Sequence, residues 1–182
     1  MTGPTVRPAR LADAERIGDI HVAAWRETYA GLMPPARLAA LNVAERAAMW
    51  RRQLASGTAR GIAIAELDGL IVGFASCAKQ RTAELAAAGY ASEVTAIYVL
   101  RAGQGRGAGR LLMQAMARRL IAEGYRSMAL WMLATNTPAR GFYERLGGTI
   151  VAERVEDGVP EVAYGWRDVA SLIKFPNENG AE

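Results

Sequence analysis

One cysteine, one histidine and two lysines are all that this 182-residue chain holds of three reactive residue types. Cys77 alone excludes an intrachain disulfide and a cysteine cluster for zinc, and its apolar surroundings mark it as core filling. With only His21, any serine–histidine or cysteine–histidine scheme would rest on that one side chain, in the predicted first helix. Metal chemistry has no ligand cluster either, so no metal is expected. Lys79 and Lys174 stand far from any glycine loop, which excludes a phosphate loop ending in Gly-Lys-Ser/Thr. No apolar run is long enough to span a membrane. The first residues, 1–7, lack the apolar core of a signal peptide, so a cytoplasmic protein is expected.

What is present fits one globular domain over 1–182, with a polar tail from about 175 expected to be loose. Apolar residues make up 51% of the chain, enough for a sizeable core. The formal net charge is +4, carried almost wholly by arginine, which suits a ligand with several negative charges. There is no dense basic run with interleaved aromatics and no nucleic-acid module, so nucleic acid is not an expected partner. The arginine pairs 51–52 and 118–119 read as solvated helix faces.

Periodicity predicts alternating elements. A strand at 5–8 precedes a helix opening at Asp13 and running to about Tyr29, with Leu11, Ile17, Ile20 and Ala24 facing inward. Helix continues over about 36–55, in two pieces around Asn42, before a turn at 56–58. Asp68-Gly69 signals a hairpin between strands 61–67 and 70–78. A helical turn at 82–88 leads to a strand at 93–100 and a helix at 107–123, ended by Gly124. A strand at 125–133, a helix at 138–146 with Gly147 behind it, and strands at 149–155 and 161–166 complete the pattern. Such an order implies a mixed sheet with helices on both faces.

The most informative stretch runs from Glu93 to Leu112. Val94, Ile97 and Val99 are strand formers; Gly103, Gly105, Gly107 and Gly109 alternate through a turn; Leu112, Met116 and Leu120 then repeat on one helical face. Backbone N–H groups at such a helix start suit a phosphate or pyrophosphate, and missing Cβ atoms let it approach. Arg106 and Arg110 add positive charge. A plain glycine-rich strand-to-helix turn is the alternative. A dinucleotide fingerprint on Gly103, Gly105 and Ala108 lacks its acidic residue, since 128–133 contains no carboxylate. A third motif, Gln-x-x-Gly-x-Gly, is filled by Gln104, Gly107 and Gly109.

In that motif, and in Asn136…Phe142-Tyr143-Glu144…Leu146-Gly147-Gly148 downstream, the chain resembles the GNAT family of N-acetyltransferases. The segment His21 to Pro34 is similar to the first helix and turn of small bacterial members, and the likeness covers most of 5–167. The resemblance implies a mixed, mostly antiparallel sheet of about seven strands, with strands 93–100 and 125–133 splayed to admit acetyl-CoA. It further implies direct transfer of the acetyl group to a primary amine of a small molecule or peptide.

On the same ground, the strand edge of Ile97, Tyr98 and Val99 should pair with pantetheine. The turn Gln104, Gly105, Arg106, Gly107, Ala108, Gly109 and Arg110 should hold pyrophosphate, and Asn136 and Arg140 should touch the cofactor. Tyr143 maps to the proton donor for the departing thiolate; the alternative is an aromatic packed under the sheet. Glu93 matches a carboxylate that could deprotonate the acceptor, or else a structurally paired one. Trp25, Glu27 and Tyr29 are candidates for the acceptor pocket; Trp25, Tyr29 and Trp131 could each line it or be plain core, with core favoured for Trp131, and Phe142 reads as core. Acidic residues near the pocket weakly favour a cationic acceptor. The sequence leaves homodimerisation open. Two other functions stay in play: a non-catalytic acyl-CoA sensor, and a toxin acetylating aminoacyl-tRNA. The family often carries an aromatic at the place of Gly148, so some packing loss is expected there.

Overall fold

The computed structural model describes residues 3–56 and 61–174. The expected turn at 57–58 and the tail from 175 lie outside them. The chain order is β1 (Thr5–Pro8), α1 (Ala14–Tyr29), α2 (Pro35–Ala39), α3 (Val43–Ala55), β2 (Ile62–Leu67), β3 (Leu70–Lys79), α4 (Ala83–Ala87) and β4 (Ser92–Val99). It continues with α5 (Ala108–Ala122), β5 (Met128–Leu133), α6 (Thr137–Arg145), β6 (Thr149–Glu156) and β7 (Val159–Trp166). Short 3-10 turns lie at Leu11–Asp13, Arg101–Gly103 and Val169–Lys174.

The strands form one sheet in the order β1-β2-β3-β4-β5-β7-β6. Every neighbouring pair is antiparallel except β4 with β5. Both hairpins turn on Asp-Gly, with φ of 50° and 80° at Asp68 and Gly69 and 50° and 77° at Asp157 and Gly158. Two positive φ values in succession match the right-handed strand twist, and Asp-Gly adopts them at low cost.

Each face of the sheet buries its own cluster. On one, Leu112, Met113, Met116 and Leu120 of α5 pack on Ala63, Ala65, Val72 and Ala75. Val169 and Leu172 of the last 3-10 turn join this cluster. On the other, Ile17 and Ile20 of α1 and Trp50 of α3 pack on Ile62, Ile64 and Phe74. Burial at about 25 cal/mol per Å² of apolar surface makes these two layers the main source of stability. Gly18 is required where α1 crosses α3, because a Cβ there would meet the Ala47 backbone of α3 at 2.7 Å.

Several boundaries differ from the sequence expectation for identifiable reasons. Leu11 does not face inward; it is 54% exposed, because the chain enters α1 through a 3-10 turn fixed by Arg7 and Asp13. The strand expected from Tyr125 begins only at Met128. Tyr125 instead sends its N–H back to the Leu120 carbonyl (2.9 Å), closing α5 around Gly124 at φ 87°. β7 starts earlier than expected and includes Pro160, which precedes the first β5 pairing, at Glu161. Gly148 loses no packing: a Cβ there would sit 2.6 Å from Cζ2 of Trp166, so that indole fills the space.

Candidate functional site

β4 and β5 pair in parallel only at Ser92↔Met128 and Glu93↔Ala129, then separate. Beyond Glu93, β4 keeps its β3 neighbour and has an open edge toward β5. The register with β3 decides what that edge offers. Leu100 donates to the Val72 carbonyl (2.9 Å), and the pairs Val99↔Gly73, Tyr98↔Phe74 and Ile97↔Ala75 follow. Antiparallel pairing alternates, so the backbone groups of Tyr98 point at β3 while those of Ile97 and Val99 face the gap. Tyr98 thus parts from the two residues it was grouped with: its ring lies on the α1/α3 face.

The register also slips between Ser76↔Ala96 and Cys77↔Val94, leaving Thr95 as the extra residue of a β-bulge. The Thr95 and Ser76 hydroxyls are joined at 2.5 Å.

At the far end of the gap the glycine turn leads into α5. Gly105 and Gly107 have φ of 70° and 90°, which favours residues without Cβ. Gly107 is the helix N-cap and no side chain caps the helix. The first helical bond runs from the Leu111 N–H to the Gly107 carbonyl (3.0 Å), so the N–H groups of Ala108 and Gly109 project from the positive end of the dipole. Gly109 also admits Phe142, whose ring would meet a Cβ there at 3.2 Å. Gln104 Nε2 donates to the Val99 carbonyl (2.9 Å) and ties the turn to the open edge. Arg106 is 3.6 Å from Asp68, on the β2–β3 hairpin.

α6 lies across the gap. Asn136 is its N-cap, accepting from the Ala139 N–H (3.3 Å). Arg140 reaches the Tyr164 hydroxyl and the Ala134 carbonyl, each at 3.4 Å. Tyr143 is buried among Phe142, Tyr164 and Trp166. Burial, followed by the nearby Tyr98, raises its phenol above the usual value, so the hydroxyl stays protonated.

On the α1/α3 face two adjoining cavities share Arg81 and Thr95. The smaller, about 270 Å³, holds Glu93 against Trp131 and Arg154. Glu93 is buried and ion-paired with Arg81. Trp131 is a wall of this cavity rather than plain core; Arg154 lies 4.1 Å over its ring and Thr82 accepts its indole N–H at 3.2 Å.

The larger cavity, about 540 Å³, opens between α1, α3 and the β3–β4 strands. His21, Trp25, Trp50 and Tyr98 line it. His21 accepts the Trp50 indole N–H on Nδ1 (3.1 Å) and stacks on Tyr98 with centroids 5.0 Å apart. Burial, helped by the charge of Arg46, lowers His21 to about 4, so the imidazole is neutral at physiological pH. Tyr29 lies edge-on to Trp25 (5.1 Å) and is raised by burial and by Tyr98 and Tyr143. Burial likewise raises Tyr98, opposed by the Trp25 and Arg46 side chains.

The structure thus gathers Trp25 and Tyr29 around Tyr98. Glu27 is elsewhere: its carboxylate accepts the Arg101 backbone N–H (2.9 Å), bracing the 3-10 turn before Gln104. His21, Arg46, Trp50 and Arg81 were not singled out as acceptor-site residues. Arg46 and Trp50 lie one turn apart on α3, but His21 of α1 and Arg81 of the β3–α4 connection share no local spacing with them, so only the fold brings the four together.

A family model described as the acetyltransferase (GNAT) family matches residues 17–148. The chain is 36% identical over 178 residues to the "Uncharacterized N-acetyltransferase YuaI" of Bacillus subtilis (strain 168), covering 95% of this chain and 98% of that protein. Among solved structures it is similar to the PaiA N-acetyltransferase of Thermoplasma acidophilum in complex with coenzyme A. There the TM-score is 0.70 and the identity 16%, over 90% of this chain and 98% of that one. It is also similar to yncA, a putative acetyltransferase of Salmonella typhimurium with acetyl-CoA. That match has a TM-score of 0.66 and 20% identity, over 100% of this chain and 98% of that one. At such identities the structural likeness bears on the fold.

Proposed function

This chain belongs to the acetyltransferase (GNAT) family, and from that premise we propose that it moves an acetyl group from acetyl-CoA to a primary amine in one direct step. The observation that carries the reading is the open β4 edge, ending in an uncapped helix start, beside a separate cavity that holds a buried carboxylate. Pantetheine is an extended amide chain, and the gap-facing backbone groups of Ile97 and Val99 suit it as an added strand would. The pyrophosphate belongs on the N–H groups of Ala108 and Gly109, with Gly105 and Gly107 leaving room. That CoA and acetyl-CoA were found in the two structural neighbours supports the same ligand here.

Glu93 takes a proton from the acceptor ammonium, directly or through water. The amine nitrogen then attacks the thioester carbon, whose developing oxyanion is met by a backbone N–H on the β4 edge. As the C–S bond breaks, the thiolate receives the Tyr143 proton, and the second proton of the acylated nitrogen passes to the tyrosinate, so that amide, free thiol and neutral phenol result. Burial keeps this phenol in its protonated form, the form that can donate. No covalent enzyme intermediate is required, in keeping with a chain poor in nucleophiles. Such chemistry fits a cytoplasmic enzyme.

The test is thiol release from acetyl-CoA over a panel of amines. Amine-dependent release is expected, falling about 100-fold or more in kcat for Tyr143→Phe and for Glu93→Gln, the scale of a lost acid or base. Acetyl-CoA binding by calorimetry with no release from any amine would point instead to the sensor. Absence of binding would overturn the reading.

A further inference from the structure

We propose that the acceptor is an amine that also carries an anionic group, an amino-acid-like zwitterion with an apolar body, and that Arg46 holds the anion. This deepens the acetyltransferase reading and rests on it. It reverses the weak expectation of a cationic acceptor, which counted carboxylates in the sequence without knowing which of them face the site.

The observation is the charge balance of the two cavities. The larger one is lined by Arg46 and Arg81 and by no Asp or Glu among the described residues. Arg81 pairs with Glu93 of the smaller cavity, and Arg154 there pairs with Glu156 and Glu161. Among the described residues, Arg46 is the one arginine of either cavity with no carboxylate partner. It is half-buried at the α3 wall, and its charge reaches both His21 and Tyr98. His21 is neutral and supplies no counter-charge. A guanidinium facing a partly desolvated cavity favours a carboxylate or phosphonate, which it binds through charge-assisted hydrogen bonds. A polyamine placed there would meet Arg46 as a like charge.

The remaining walls fix the rest of the acceptor. Trp25, Trp50, Met49 and Tyr98 offer apolar surface along the cavity, so the side chain that the acceptor carries beside its two charged groups is apolar. Thr95 and Arg81 connect this cavity to Glu93. The ammonium therefore points to the Glu93 end and the anion to the Arg46 end.

The test compares phenylalanine with phenethylamine, which lacks only the carboxylate, and adds spermidine. Thiol release with acetyl-CoA is followed alongside quenching of tryptophan fluorescence, since Trp25 and Trp50 line the cavity. Wild type is expected to prefer phenylalanine by about tenfold or more in kcat/KM, the scale of one charged hydrogen bond. Arg46→Ala should raise the KM for phenylalanine and bring that ratio close to one. Arg46→Lys, which keeps the charge, should retain most of the preference. Equal use of both amines, a preference for spermidine, or a ratio untouched by Arg46→Ala overturns the assignment while leaving acetyl transfer standing. If no amine releases thiol, quenching by phenylalanine that Arg46→Ala abolishes keeps the anion site and sinks the transfer reading. No quenching in either protein overturns the anion site as well.

Discussion

The two sides of the β4 strand are built from different material. Toward β5 the groups on offer are backbone: the Ile97 and Val99 edge and the N–H groups that open α5. Toward α1 and α3 they are side chains: a neutral imidazole, two indoles, a phenol and two arginines. Backbone groups are the same in every protein and suit a ligand that is also invariant. Side chains can be exchanged one at a time without disturbing the strand that separates the sides. The division therefore assigns the constant half of the reaction to the main chain and the variable half to positions free to change.

The comparison can be broken first by acid. His21, lowered to about 4 in the folded chain from an ordinary 6.5, binds its proton more readily when unfolded. Between those values the unfolded state carries more protons, so stability is complete above about pH 6.5 and declines as pH falls toward 4. The full loss is about 3 kcal/mol from this group, at about 1.4 kcal/mol per unit. The groups around the imidazole are Trp25, Trp50, Phe74 and Tyr98, with Arg46 the nearby charge. Urea unfolding at pH 7 and pH 4.5 should show this slope in wild type and a shallower one in His21→Asn.

Trp50→Phe comes next, at about 2 kcal/mol, because it removes the donor to His21 Nδ1 and part of a buried ring. Acceptor KM should rise with acetyl-CoA affinity unchanged; a loss in both would erase the division. Gly107→Ala sharpens the comparison from the other side. A Cβ at φ 90° strains the turn by about 1 kcal/mol and should weaken acetyl-CoA by about tenfold in calorimetry, leaving acceptor preference intact. Smallest is Arg37→Ala, which deletes an exposed ion pair to Asp157 at 3.0 Å. It should change stability by less than about 0.5 kcal/mol in a thermal melt.

The same division governs what could be read beforehand. Gly105, Gly107 and Gly109 announce the turn into α5, because a left-handed turn and the close approach of Phe142 each demand glycine at a fixed offset. Asn42 and Gly124 likewise mark helix ends that the structure bears out. Of the residues that gather on the α1/α3 side, the sequence singles out Trp25 and Tyr29, neighbours on one helix. Arg46 and Trp50 come from α3 and Arg81 from the connection after β3, and nothing in their local spacing ties them to His21. Glu27 shows the converse. Sequence proximity to Trp25 placed it in the pocket, but a helix turns 100° per residue, and its carboxylate went to the Arg101 backbone instead.

Gly148 and Trp166 carry a consequence for how this chain can change over time. The indole stands 2.6 Å from where a Cβ at 148 would be, and its N–H is spent on the Leu146 carbonyl at 2.8 Å. Any larger residue at 148 collides with that indole, and its Cβ also stands 3.0 Å from the Tyr143 backbone oxygen. Shrinking 166 first empties a buried volume and strands the Leu146 carbonyl. Each single step is costly, so the two positions are coupled. A lineage carrying this glycine is held to its tryptophan by the order in which substitutions would have to arrive.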